Sequence, residues 1–100
     1  LYPDGVAAVR LGREFGLPVA LTARGSDTSQ LPGYAIPNRL IRDAIARADA
    51  LIAVSAALGE GLIALGAPRD KVTVLRNGVD LAAFGPPADR AALRASLGLD

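Results

Sequence analysis

Pro18-Val-Ala-Leu-Thr-Ala23 runs directly into Arg24-Gly-Ser-Asp27, and this junction of an apolar run with a polar turn decides the fold. A short run that is almost wholly apolar is typical of a parallel β-strand covered on both faces. Residues 24–36 contain two glycines, one proline and several small polar side chains, which predict a loop. Because this loop is longer than the roughly two to six residues usual after such a strand, it marks a candidate ligand site.

Two further apolar runs, Ala50-Leu-Ile-Ala-Val54 and Val72-Thr-Val-Leu75, predict two more buried strands. Helical patterns separate the runs, and this alternation predicts an α/β fold with a three-stranded parallel sheet and right-handed crossovers. Gly85-Pro-Pro87 is a stiff break and the best linker candidate. The expected element order is therefore α-β-α-β-α-β-linker-α.

Each helix has a recognisable start. Asp4 is expected to cap the first helix, whose apolar positions recur at helical spacing: Ala8, Leu11 and Phe15. Pro37 suits the first turn of the second helix, where Asp43 is expected to pair with Arg39 and Arg47. Ser55 and Asp89 are expected to cap the third and fourth helices, and residues 81–84 to form a single helical turn.

The composition limits the classes of function. Of 100 residues, 51% are hydrophobic and 21% are charged, which excludes intrinsic disorder. The net charge of +1 is too balanced for a nucleic-acid-binding surface. The sequence has no cysteine and no histidine, which excludes thiol nucleophiles, disulfides and histidine-dependent triads or metal sites.

The loops after the three strands should meet at one edge of the sheet, because all three strands run in the same direction. Glycines there allow a ligand to approach the backbone closely, and helix N-termini favour anions. This pattern predicts an anionic, hydroxyl-rich ligand such as a sugar phosphate or nucleotide sugar. The candidate site residues are Arg24, Gly25, Ser26, Asp27, Ser55, Arg76, Asn77, Gly78 and Asp80.

Purely structural explanations remain open for several of these residues. Ser55 is first of all a helix cap, Asn77-Gly78 is a common turn dipeptide, and Asp80 could cap the turn that follows it. Arg24 is the hardest to explain structurally, because an arginine directly after an apolar strand faces the ligand-binding edge.

Three segments resemble motifs of the group 1 (family 4) retaining glycosyltransferases. Residues 18–27 resemble P-V-V-x-T-x-H-G-x-D, and residues 48–55 resemble A-D-x-I-x-x-V-S. Residues 66–80, with Phe84 and Pro86, resemble G-x-P-x-x-K-V-x-V-I-P-N-G-V-D-x-x-x-F-x-P. A fourth motif, Arg94 with Leu97-Gly-Leu99, resembles R-x-x-L-G-L. Four motifs in the family's order make the resemblance specific over roughly residues 17–99.

The resemblance implies a GT-B fold, in which two Rossmann-like domains face each other across a cleft. Residues 1–84 would be the later part of the N-terminal, acceptor-side domain, and residues 85–100 the linker and first helix leading to the C-terminal domain. The implied activity is transfer of a hexose, with retention, from a nucleotide sugar to a glycan, lipid-linked or small-molecule acceptor. The resemblance further implies no metal and no cofactor, and a location in the cytoplasm or at the inner face of the membrane. Because the donor would bind mainly to the C-terminal domain, we expect these 100 residues to be inactive alone.

The resemblance also suggests roles for individual residues. Arg24 stands where many members carry a cleft-facing histidine; because it stays charged, it would hold a phosphate or a sugar hydroxyl and not act as a general base. Asp27 would order the loop or accept a hydrogen bond from a sugar hydroxyl. Asn77, Gly78 and Asp80 would lie near the interdomain hinge.

Two other functions remain open. A nucleotide-sugar 2-epimerase shares the two-domain fold, but it relies on acid/base residues and histidines that this sequence lacks. A free-standing, flavodoxin-like binding module would need no second domain, and autonomous stability would be its sign.

Overall fold

Three short strands form the centre of the computed structural model, which describes residues 1–99. They are β1 (Ala20–Ala23), β2 (Ala50–Ala53) and β3 (Val72–Val74). β2 lies in the middle and pairs in parallel with both neighbours, so that Ala53 is opposite Ala23 on one side and Val74 on the other. The predicted α/β fold with a partial Rossmann-like, three-stranded parallel sheet is therefore confirmed.

Five helices accompany the strands in the described residues: α1 (Asp4–Phe15), α2 (Ser26–Ser29), α3 (Ala35–Arg47), α4 (Ala56–Ala64) and α5 (Arg90–Ser96). Two 3-10 turns, Leu31–Gly33 and Arg69–Lys71, complete the regular structure. Leu21, Leu51 and the alanines that end β1 and β2 are buried together with Ile41, Ile45 and Leu62. The core therefore lies between one face of the sheet and its helices.

The other face of the sheet differs from the prediction. Burial alternates along β1 and β2, so that Thr22 and Ile52 are only partly buried while their neighbours Leu21 and Leu51 are buried. Alternation of this kind is typical of a sheet with one covered face. The expectation of strands covered on both faces was wrong for residues 1–99, because the helices that the structure describes pack on a single face.

The first helix has the predicted bounds but a different buried face. Its core-facing positions are Gly5, Val6, Val9 and Gly12, whereas Leu11 and Phe15 are 53% and 66% exposed. The two glycines bring the helix close to the sheet, since a Cβ on Gly5 would lie 3.3 Å from Leu21 Cδ1. Of the apolar face predicted from Ala8, Leu11 and Phe15, only Ala8 packs against the core. The prediction was wrong for Leu11 and Phe15, because a glycine that permits close packing gives no hydrophobic signal.

The expected role of Asp4 was also wrong. The helix begins at Asp4 itself, after Pro3, and no side chain caps it. Asp4 therefore lies in the first helical turn, where a negative charge is still favourable to the helix dipole.

The segment predicted as a loop, residues 24–36, is largely helical. It contains α2 and a 3-10 turn, and α3 begins at Ala35. Thr28 in α2 is buried against α4, where a Cβ on Gly61 would lie 3.0 Å from Thr28 Cγ2. The small polar residues that favour turns also form short helical turns when a neighbouring helix has room for them.

Hydrogen bonds at the helix ends agree with most of the sequence predictions. Ser55 Oγ accepts from Leu58 N at 3.2 Å, and Asp89 Oδ1 accepts from Ala92 N at 2.9 Å, so both predicted caps are confirmed. Asp43 pairs with Arg47 at 2.8 Å. Asp43 and Arg39 form no pair among residues 1–99, so that half of the prediction was wrong. The reason is that both carboxylate oxygens of Asp43 already accept from the guanidinium of Arg47.

The chain after β3 forms an arm that leaves the sheet. Residues 75–99, which form this arm, are all exposed. The radius of gyration of the chain is 18.7 Å, against about 13 Å for a compact chain of this length. The predicted single turn over residues 81–84 is confirmed by the bond from Phe84 N to the Asp80 carbonyl at 2.9 Å. The polar residues of the arm therefore point into solvent in this structure.

Candidate functional site

A cleft of about 640 Å³ opens at the carboxyl end of β1. α1 runs against the direction of β1, since Gly5 faces Leu21 whereas Gly12 faces Val19. The first turn of α1 therefore lies beside the turn that follows β1, and the cleft forms between them. Its polar lining comes from both walls: Tyr2, Asp4, Thr22, Arg24, Ser26 and Asp27.

Arg24 follows Ala23, which is fully buried, and its own side chain is exposed in the cleft. No ion pair engages Arg24 anywhere in residues 1–99. The next residue, Gly25, also lines the cleft, and a Cβ built on it would meet no atom within 4 Å. The guanidinium and the adjoining backbone are thus accessible to a ligand.

Asp27 holds the far side of this turn. Its carboxylate accepts from the Leu1 amino group at 2.6 Å and from Gly25 N at 3.3 Å. Burial raises the pKa of Asp27, but the hydrogen bond and positive charge of the amino group, together with backbone N–H groups, lower it more. The net result is a pKa below the usual 3.8. Asp27 is therefore a carboxylate that orders the loop, one of the two roles considered for it.

Ser55 follows β2 at the same edge of the sheet but does not line this cleft. Its Oγ is the acceptor of the cap bond from Leu58 N. Ser55 therefore caps α4, and a role for it in binding stays a prediction.

Asn77, Gly78 and Asp80 come after β3, two strands away from β1, a separation of about 10 Å across the sheet. All three are exposed, and none lines the cleft. Asp80 Oδ1 accepts from Ala82 N at 2.9 Å, as a turn cap does. The structure thus brings residues 24–27 into one cleft and leaves the other candidates elsewhere along the same edge.

Residues 1–83, which contain the whole sheet and the cleft, match the family model described as Glycosyltransferase Family 4. The chain belongs to this glycosyltransferase family. No curated protein matches it significantly. The family assignment agrees with the resemblance carried by the sequence motifs, and it supports a glycosyltransferase role.

Sequence reasoning missed three polar residues that line the cleft of this family 4 glycosyltransferase chain: Tyr2, Asp4 and Thr22. The signal for the first two was the short connection between α1 and β1. A helix joined to a strand by residues 16–19 must run back along it, which brings the start of the helix to the strand's carboxyl end. Among the described residues of the glycosyltransferase chain, no helix has the length and apolar character needed to cross a bilayer.

Proposed function

We propose that this family 4 glycosyltransferase chain forms the acceptor side of an enzyme that transfers a hexose, with retention, from a nucleotide sugar. The acceptor would be a glycan, a lipid-linked sugar or a small molecule, in the cytoplasm or at the inner face of the membrane. The observation that carries the proposal is the cleft at the carboxyl end of β1. There the exposed guanidinium of Arg24, which has no ion-pair partner within residues 1–99, lies among hydroxyl and carboxylate side chains.

A second, nucleotide-binding domain would complete the reaction site. Residues 1–84 would belong to the acceptor-side domain, and residues 85–100 would lead to the second one. The exposed apolar side chains of the arm support this arrangement, because such a series favours contact with another protein surface. They include Leu75, Val79, Leu81 and Phe84, between 62% and 74% exposed.

The chemistry expected of Arg24 is electrostatic. In the proposed reaction the bond between the anomeric carbon and the diphosphate breaks, and the acceptor hydroxyl attacks on the same face. The hydroxyl proton passes to the departing diphosphate, and the sugar is bonded to the acceptor. A permanently charged guanidinium stabilises developing negative charge or anchors a hydroxyl, but it does not take up this proton.

Incubation of the intact enzyme with radiolabelled nucleotide sugars and candidate acceptors tests the proposal. We expect release of a nucleoside diphosphate and a product whose anomeric configuration, read by NMR, matches that of the donor. The 100-residue chain alone should give no turnover. Conversion of the donor to its 2-epimer without an acceptor would instead identify an epimerase, and binding without any turnover would identify a non-enzymatic module.

A further inference from the structure

Asp4 lies in the first turn of α1, where its charge favours the helix dipole, but no contact with another side chain holds its carboxylate in the part of the chain that the structure describes. Its carboxylate does not cap α1, and residues 1–99 offer it no hydrogen-bond or ion-pair partner. It is exposed, and it lines the same cleft as Arg24, on the wall formed by the first turn of α1. The cleft therefore presents a free carboxylate on one wall and a free guanidinium on the other.

The charges of the cleft disfavour an anionic acceptor. Arg24 contributes one positive charge and Asp4 one negative charge, and Asp27, on the same turn as Arg24, is a second carboxylate. A phosphate or carboxylate group would gain from Arg24 but would be repelled by Asp4. A neutral sugar suits both walls, because each hydroxyl donates a hydrogen bond to a carboxylate and accepts one from a guanidinium.

Tyr2 adds an apolar surface to this arrangement. It is partly buried against the hydrophobic core and lines the cleft beside Asp4. An aromatic side chain offers a large apolar face while its hydroxyl remains available for hydrogen bonding. Such a face suits the C–H side of a sugar ring whose hydroxyls are bound by charged groups.

We infer that Asp4 is a specificity-determining residue, and that the acceptor bound in this cleft is a neutral, hydroxyl-rich sugar. That the bound sugar is the acceptor rests on the proposed function, whereas the preference for a neutral sugar rests on the cleft alone. Asp4 would accept hydrogen bonds from sugar hydroxyls opposite Arg24, with Tyr2 against the ring.

NMR titration of the ¹⁵N-labelled chain with methyl α-D-glucopyranoside and with glucose 6-phosphate tests the inference. The neutral glycoside should bind more tightly and should shift the amide signals of Gly25, Ser26 and the first turn of α1. Asp4→Asn should change the ratio of the two dissociation constants at least tenfold in favour of glucose 6-phosphate. The carboxylate that accepts hydrogen bonds from the neutral glycoside is lost, and the repulsion between that carboxylate and the phosphate is removed. Glu14→Gln is the matched control. It removes one negative charge from the same helix, about 15 Å away, and should leave the ratio unchanged.

Acceptor kinetics of the intact enzyme give a second measurement that does not depend on the isolated chain. Asp4→Asn should raise KM for a neutral acceptor about tenfold and change kcat less than twofold. Tighter binding of glucose 6-phosphate than of the glycoside, binding of neither, or an unchanged ratio or KM in Asp4→Asn would overturn the inference. Absence of hexose transfer would overturn the proposed function instead, and would leave the measured preference of the cleft intact.

Discussion

The amino group of Leu1 donates a hydrogen bond of 2.6 Å to Asp27 Oδ2, although the two residues are 26 positions apart. The Leu1 side chain is fully buried, the Asp27 side chain is 16% exposed, and the hydrogen bond between them is partly buried. This contact joins the residues before α1 to the turn after β1, which are the two walls of the cleft. A partly buried pair of this kind is screened less by salt than a surface ion pair.

The stability of the chain should depend on pH through Asp27. Because the pKa of Asp27 in the folded chain is lowered, its stabilising contribution is fully present above its unfolded pKa, and it is lost as pH falls through the folded value. Urea denaturation between pH 6 and pH 2 should show stability falling below about pH 4. Asp27→Asn should be less stable at pH 6 and should show a smaller fall.

Asp70→Asn is the control for loss of an acidic side chain, because Asp70 is exposed and forms no ion pair in residues 1–99. Acetylation of the amino terminus removes the positive charge of Leu1 and should reproduce part of the Asp27→Asn effect. Identical pH profiles for Asp27→Asn and the unaltered chain would contradict a role for this contact in stability.

Replacement of Arg24 should impair transfer by the intact enzyme. Arg24→Ala should lower kcat/KM more than tenfold, which corresponds to at least about 1.4 kcal/mol, because it removes the positive charge from the cleft. Arg24→Lys should recover part of the loss, since it keeps the charge without the planar group. Arg10→Ala, an exposed position of α1 outside the cleft, should keep the normal rate. A near-normal rate for Arg24→Ala would remove this residue from the site.

Gly12 should not tolerate a side chain. A Cβ at this position would overlap Val19 Cγ2 and would lie 2.9 Å from the carbonyl oxygen of Leu17. Gly12→Ala should therefore destabilise the chain by about 1–3 kcal/mol, in spite of the roughly 1 kcal/mol by which alanine favours a helix. Thermal unfolding followed by circular dichroism measures the effect. Gly33→Ala is the control, because a Cβ there meets nothing within 4 Å; equal melting temperatures for the two variants would refute the argument.

Ser55 should contribute to stability through its cap. Ser55→Ala should lower the free energy of unfolding by about 0.5–2 kcal/mol, because the N–H of Leu58 loses its acceptor. Ser55→Asp preserves a capping oxygen and should restore most of the stability. If kcat/KM of the intact enzyme fell in Ser55→Ala and recovered in Ser55→Asp, the effect would be structural; a loss in both variants would support the predicted binding role.

The sequence predicted the period of α1 correctly but not its orientation. Leu11 and Phe15 are the largest apolar side chains of this helix, yet they are exposed, and Gly5 and Gly12 face the sheet. Which face is buried depended on how closely the backbone could approach Leu21 and Val19, and hydropathy does not report this distance. Similarly, the polar segment after β1 was predicted as a loop, because the room for α2 exists only once Gly61 of α4 lies beside Thr28.

The amino-acid sequence by itself determined the alternation of helices and strands, the parallel sheet, the caps at Ser55 and Asp89, and the position of Arg24 after the first strand. These features follow from local preferences and from short-range hydrophobic patterns, which neighbouring residues carry. The tertiary structure alone decided that Tyr2 and Asp4 share a cleft with Arg24, whereas Asn77 and Asp80 lie on an exposed arm. Contacts between residues far apart in the chain depend on the direction and closeness of packing, and no local pattern encodes these.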